Sequence, residues 1–301
     1  MKLGHTQAAC VMVLCALLWS TAGVATRSLE QAQAFEITFW RSAFSLLALL
    51  VILPLWRGRA LWSALRPGGI TLWVCGLCWA AMFTAFMIAL TLTSTANVLV
   101  TLAAGPLFTA LVARVFIGHR LPGRTWGAIG AAGLGIGYMY AAKLGQGEWL
   151  GTLVALAVPI AGAINWTLVQ RSRSSGRKVD LVPAVLIGAA ISAAVMLPFA
   201  WPLQANAHDV ALLAALGTFQ LAVPCVLAVV CAGVLAAAEV SLLALLEVIF
   251  GIALAWLGAG EVPLPEVLIG GAVVIGALLV NELLGWKGRN RATLQQMPPT
   301  V

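Results

Sequence analysis

Two glutamates eight residues apart, Glu239 and Glu247, stand in a stretch that is otherwise apolar. On one helix they lie about 12 Å apart along the axis and about 80° apart around it, so both can line one cavity. There they could bind a cationic amine, or take up a proton, because burial disfavours the charged form of a carboxyl group. A buried hydrogen bond to a neighbouring helix is the plainer reading of each, and Glu247 sits deeper. Other polar groups share such surroundings. Arg41 could pair with Glu36, snorkel outward, or meet a substrate carboxylate. Asn97 and Thr101, one turn apart, and Asn165 offer amide and hydroxyl partners to a polar solute or to adjacent helices. Trp19, Trp166, Trp79 and Phe83 could wall a cavity and favour a flat solute or a cation.

Catalysis needs other constellations, and they are missing. The three histidines are His5, His119 and His208, and no His-x-x-x-His or Gly-x-Ser-x-Gly pattern occurs. The aspartates Asp180 and Asp209 fall between apolar runs, not paired within one. Cys10, Cys15, Cys75, Cys78, Cys225 and Cys231 all lie in apolar runs, and Cys75-x-x-Cys78 has no second Cys or His pair to make a metal site. They read as small packing residues. Gly133-Leu134-Gly135-Ile136-Gly137 lies within an apolar run and is no nucleotide loop. Neither a catalytic residue, a metal nor a cofactor is expected. Asn165-Trp166-Thr167 spells a glycosylation acceptor that its burial in a run makes unusable.

The elements that must hold these groups follow from composition. Of 301 residues 62% are hydrophobic and 9% charged, whereas a soluble domain needs about a quarter charged to cover its surface. The surface must therefore face lipid. Apolar runs of about 20 residues, enough to cross a 30 Å hydrocarbon core, occur at 7–26, 36–56, 70–90, 95–117, 124–142, 149–170, 181–201, 210–232, 236–258 and 266–286. The expected fold is an all-α polytopic membrane protein with ten transmembrane helices and a disordered cytoplasmic tail at 287–301. The first run is too long for a signal-peptide core and lacks a cleavage site.

Charge sets the orientation. With the N-terminus cytoplasmic, segments on the inside carry 13 of the 17 basic residues, while the outside carries Arg27 and Lys143 together with Glu30, Glu148, Asp209, Glu261 and Glu266. That asymmetry places both termini in the cytoplasm of a bacterial inner membrane. The net charge of +7 is thus a topology signal, and nucleic acid is not an expected partner.

The halves also resemble each other. A constant shift of 142 residues superposes Asn97 on Glu239, Pro106 on Val248 and Gly118 on Gly260. The second and seventh runs also correspond, with Glu36 matching Asp180 and Leu53-Pro54 matching Leu197-Pro198. Five runs are an odd number, so the second half enters the membrane inverted, and basic Arg120 and Arg124 face acidic Glu261 and Glu266 in the equivalent loops. The expected domains are inverted five-helix repeats over 7–142 and 149–286. Glycines in the fifth run (Gly127, Gly130, Gly133, Gly135, Gly137) and the tenth (Gly270, Gly271, Gly276) would let helices approach closely.

With Leu17-Leu18-Trp19-Ser20-Thr21, Phe39-Trp40-Arg41, Ala96-Asn97-Val98 through Pro106-Leu107-Phe108, Ala237 through Glu247, and Gly260-Glu261, the chain resembles the EamA-type carriers of the drug/metabolite transporter superfamily. It departs from that pattern at Val248, where proline is usual, and at His119, where glutamate is. The resemblance covers residues 8 to 286 and implies a secondary carrier that exports amino acids or related small metabolites by alternating access. Its partners would be a small-molecule substrate, the lipid bilayer and, for coupling, protons. The rival class is a channel or structural membrane subunit.

Overall fold

A computed structural model describes residues 4–58, 69–117, 123–143, 149–174, 180–235, 240 and 243–295. The described residues form helices and no strand. In chain order they are α1 (His5–Arg27), α2 (Ala34–Arg57), α3 (Gly69–Leu92), α4 in two pieces (Thr95–Leu102 and Gly105–Ile117), α5 (Gly123–Lys143), α6 (Trp149–Ser174), α7 (Pro183–Ala200), α8 (Ala207–Cys231), α9 (Leu246–Ala259) and α10 (Pro265–Gln295). Local chemistry sets several ends. Ser94 caps α4 by accepting from Asn97 N–H, Asn206 caps α8 by accepting from Asp209 N–H, and Gly260 closes α9 in a left-handed conformation open to glycine.

Helices α1, α2, α3, α4, α6, α7 and α8 are long and apolar enough to cross a membrane. The expected ten spans are met in part. The described portion of α9 and the apolar portion of α10 (Pro265–Asn281) are shorter, and Gly-rich α5 is not among the seven. Residues 236–239 and 241–242, expected to open the ninth span, lie outside the described residues. The last helix runs beyond the tenth apolar run. The tail is helical as far as Gln295, because the segment after Trp286 contains no proline until Pro298 and keeps helix-forming residues.

The two halves interleave. Helix α3 packs on α6 and α7, α2 on α7 and α8, α1 on α8 and α9, α4 on α6 and α9, and α5 on α10. Exchanging each helix for the one five places away maps this set onto itself: α3–α6 becomes α8–α1, α3–α7 becomes α8–α2, and α1–α9 becomes α6–α4. Pairs α2–α7, α4–α9 and α5–α10 map onto themselves.

Close approach depends on a few glycines, though not mainly on those in α5. A Cβ at Gly127, Gly130, Gly133, Gly137 or Gly276 would meet nothing within 4 Å, whereas one at Gly135 would lie 2.8 Å from the Gly270 carbonyl oxygen. The tightest crossings are elsewhere. At Gly188 a Cβ would stand 2.4 Å from the Cβ of Trp79 and 3.0 Å from Ala80 N, where α7 crosses α3. Gly188→Ala should therefore cost about 1–3 kcal/mol through overpacking and lower the unfolding midpoint of detergent-solubilised protein. Gly127→Ala, into open space, should leave that midpoint equal or higher.

Candidate functional site

Two interrupted helices meet near the centre of the bundle. α4 breaks at Ala103–Ala104, and α9 begins at Leu246 after a turn at Leu245. The same 142-residue shift superposes these breaks, placing Gly105 against Glu247 and Pro106 against Val248. Backbone groups at such breaks are freed from the helix ladder, and proline at Pro106 cannot restore one.

The breaks border a cavity of about 190 Å³ lined from α1, α2, α3, α4, α6, α8 and α9. Trp19, Arg41, Trp79, Phe83, Trp166 and Glu247 all line it. The ring of Trp79 meets that of Trp166 edge-on at 6.1 Å and that of Phe83 at 5.4 Å, giving a flat-walled aromatic corner. Glu247 is half-buried in the first turn of α9 and within Coulombic reach of Arg41.

Arg41 is 2% exposed and does not pair with Glu36, nor does it snorkel. Its Nε donates to Gln220 Oε1 at 3.0 Å, and Gln220 Nε2 donates to the Trp19 carbonyl at 3.1 Å. Its guanidinium lies 5.6 Å from the centre of the Phe86 ring. Its Nη1 has no hydrogen-bond partner. The local fold arranges this contact. Residues Leu216–Ala222 of α8 form a wide π-helical turn carrying Gln220, and Gly217 in that turn lets α8 press on α2, since a Cβ there would lie 2.6 Å from the Arg41 carbonyl.

Asn97, Thr101 and Asn165 are not among the residues that line the cavity. Asn97 Nδ2 donates to Thr93 Oγ1 at 3.0 Å and to Thr152 Oγ1 at 2.6 Å, tying α4 to α6, while Thr101 Oγ1 donates back to the Asn97 carbonyl. These bonds join the two helices through the Asn97 amide nitrogen, while the buried Asn97 Oδ1 has no hydrogen-bond partner. Asn165 is buried beside Trp166 with neither amide atom partnered, and it does not line the cavity. Glu239 lies outside the described residues. Sequence reasoning missed Gln220 and Phe86 as cavity residues. Gln220 was detectable as a lone amide within the eighth apolar run, but Phe86 carried no signal beyond its type.

One end of the bundle, the end expected outside, is laced by acids. Glu36, buried at the start of α2, accepts from Gln204 N–H, Ala205 N–H and Trp40 Nε1. Asp209, buried at the start of α8, accepts from the N–H groups of Glu30, Gln31 and Ala32 at 2.8–2.9 Å. Each acid thus holds the loop beside the other. Glu261, after α9, accepts from Thr95 N–H and Oγ1 and from Arg27 Nε at 3.1 Å, while Arg27 Nη2 donates to the Thr93 carbonyl. Outward-facing Trp56, Trp126, Trp149 and Trp201 at helix ends fit interfacial anchors. Among the described residues no group of His, Cys, Asp and Glu could hold a metal ion, and the six cysteines are free thiols.

Residues 6–141 match the EamA-like transporter family. The fold is shared with solved structures. One crystal structure aligns with 93% of this chain and 99% of its own at a TM-score of 0.61 and 21% identity. Twelve chains of solved structures match in all, and no curated protein does.

Proposed function

We propose, from residues 6–141 being an EamA-like transporter segment of the drug/metabolite transporter superfamily, that this multi-pass membrane protein is a secondary carrier for a small organic solute. The observation that carries the reading is the cavity itself. It lies where two interrupted helices from opposite halves of the chain meet, and seven helices from both halves line it. Discontinuous helices at the interface of two repeats are the usual construction of a carrier's binding site. The exchange symmetry of helix packing supports inverted repeats over 7–142 and 149–286. Such repeats make inward- and outward-open states near-equivalent in energy, which alternating access requires.

The lacing through Glu36, Asp209 and Glu261 closes the end expected outside, so this conformation suits loading from the cytoplasm and hence export. We place the solute among Trp19, Trp79, Phe83 and Trp166, with Arg41 and Glu247 at its polar end. Glu239, Asn97, Thr101 and Asn165 are the further candidates, the first for a coupling proton and the others as supports of the site. A cavity of roughly 150 Å³ accommodates a benzene ring, so about 190 Å³ suits a small metabolite.

Purified protein in liposomes should give saturable flux and accelerate exchange when unlabelled solute is loaded on the far side. Flux that rises linearly without exchange acceleration would place the protein with channels.

A further inference from the structure

The three acids at the laced end are not alike. Glu36 and Asp209 are fully buried, and each accepts from the backbone N–H groups of a loop. Glu261 is 18% exposed, and Arg27, its ion-pair partner, is 34% exposed. Glu261 also joins different elements. Its Oε1 accepts from Thr95 N–H at the start of α4, and its Oε2 accepts from Thr95 Oγ1 at 2.8 Å. The same Oε2 accepts from Arg27 Nε, at the end of α1, at 3.1 Å. Glu261 itself follows the last turn of α9. One carboxylate thus fastens α1, α4 and α9, and α4 and α9 are the interrupted helices. Below it the three helices meet along a seam whose glycines leave no room for a Cβ: Gly23 against Thr95, Gly258 against Val24 and Gly251 against Leu99. The seam ends at the cavity, which Leu99 and Val248 line.

The opposite end has no counterpart in the sequence. The 142-residue shift that matches the halves sets His119 against Glu261 and Ala237 against Thr95, so neither the accepting carboxylate nor the donating hydroxyl recurs. We propose, resting on the carrier reading above, that Glu261 is a one-sided latch. It parts when the carrier opens at its own end, and the lack of an equivalent makes closure of that end the resting state. Parting is reversible because a carboxylate and a guanidinium already touching water lose little when water replaces the partner. Glu36 and Asp209 are unsuited to that role, since breaking their contacts would strand several buried donors at once. A contact made in one state only biases the equilibrium towards that state. Glu261 is not among the residues lining the cavity, so its removal shifts the populations and leaves the solute's site intact.

The test is the sidedness of thiol labelling at Leu102→Cys, a lining position beside the break in α4. A membrane-impermeant thiosulfonate is applied to intact cells and to inside-out vesicles, and modification of residue 102 in the full-length protein is read by mass spectrometry. Val262→Cys, at an exposed position next to Glu261, reports which face bears the latch. With Glu261 present, residue 102 should react about tenfold faster from the opposite face than from the latch face. Glu261→Gln should speed labelling from the latch face about tenfold and slow it from the other. Arg27→Gln and Thr95→Val each remove one donor, and each should shift labelling the same way by less; they keep the test open if Glu261→Gln fails to fold. Equal labelling from both faces with Glu261 present would overturn the proposal. So would latch-face labelling that none of the three variants changes, or a rise from both faces together, which marks a loosened fold. Labelling that follows Glu261 without solute exchange in liposomes would sink the carrier reading alone, whereas exchange with labelling indifferent to Glu261 would sink the latch alone.

Discussion

Glu247→Gln is expected to reduce exchange in liposomes at least tenfold while leaving expression and the unfolding midpoint close to wild type. Glutamine keeps the shape of the side chain and can still hydrogen-bond, so packing at the start of α9 survives. The structural contribution at stake is that of an acid in a helix's first turn, typically 0.3–1 kcal/mol. The functional contribution is larger, because Glu247 is the sole carboxylate among the described lining residues and lies within Coulombic reach of Arg41 across a site poor in polar atoms. A tenfold loss corresponds to about 1.4 kcal/mol, a modest demand on one charge in such surroundings. Glu239→Gln serves as a second arm, and wild-type exchange in the double variant would remove both residues from the site. If Glu247 carries the coupling proton, a pH gradient across the liposome should alter wild-type flux and have no effect on Glu247→Gln. Indifference of the wild type would leave facilitated diffusion.

The second large effect is on stability. Glu36→Ala and Asp209→Ala should each lower the unfolding midpoint in detergent, at a cost of about 3 kcal/mol, without changing the cavity's lining. Each carboxylate is fully buried and accepts three hydrogen bonds, those of Glu36 from Gln204, Ala205 and Trp40 and those of Asp209 from the run Glu30 to Ala32. Charged acceptors typically contribute about 1.5–3 kcal/mol per bond, and truncation leaves several donors without a partner at once. Glu36→Gln should fall between wild type and alanine, since an amide oxygen can still accept some of these bonds. The two alanine variants should be less than additive if the loops they hold, between α1 and α2 and between α7 and α8, brace each other as the reciprocal pattern suggests. An unchanged midpoint in either alanine variant would show that solvent replaces the carboxylate freely at this end.

The residues differ in how far their chain neighbourhood announced their role. Helices α1 to α8 occupy the apolar runs to within a few residues, because a span is set by the thickness of hydrocarbon and by the absence of charge, both of which are local properties. The aromatic and charged members of the cavity, Trp19, Trp79, Phe83, Trp166, Arg41 and Glu247, were also legible, since an ionisable or bulky aromatic group inside a span stands out against its neighbours. The pattern did not separate them from Asn97 and Thr101, whose amide nitrogen and hydroxyl are engaged elsewhere by Thr93, Thr152 and the Asn97 carbonyl. Nor did it reveal that Asp209, read only as an acid between apolar runs, gathers three backbone donors.

Composition alone was enough to establish an apolar, helical, multi-pass membrane chain, because hydrophobicity along a run needs no knowledge of neighbours. Which polar groups face one another needed the folded bundle. The partner of Arg41 is 179 residues away, on a turn of α8 that only close packing at Gly217 brings into reach. Long-range pairing of that kind depends on which helix surfaces meet, and periodicity along one helix contains no information about its partner.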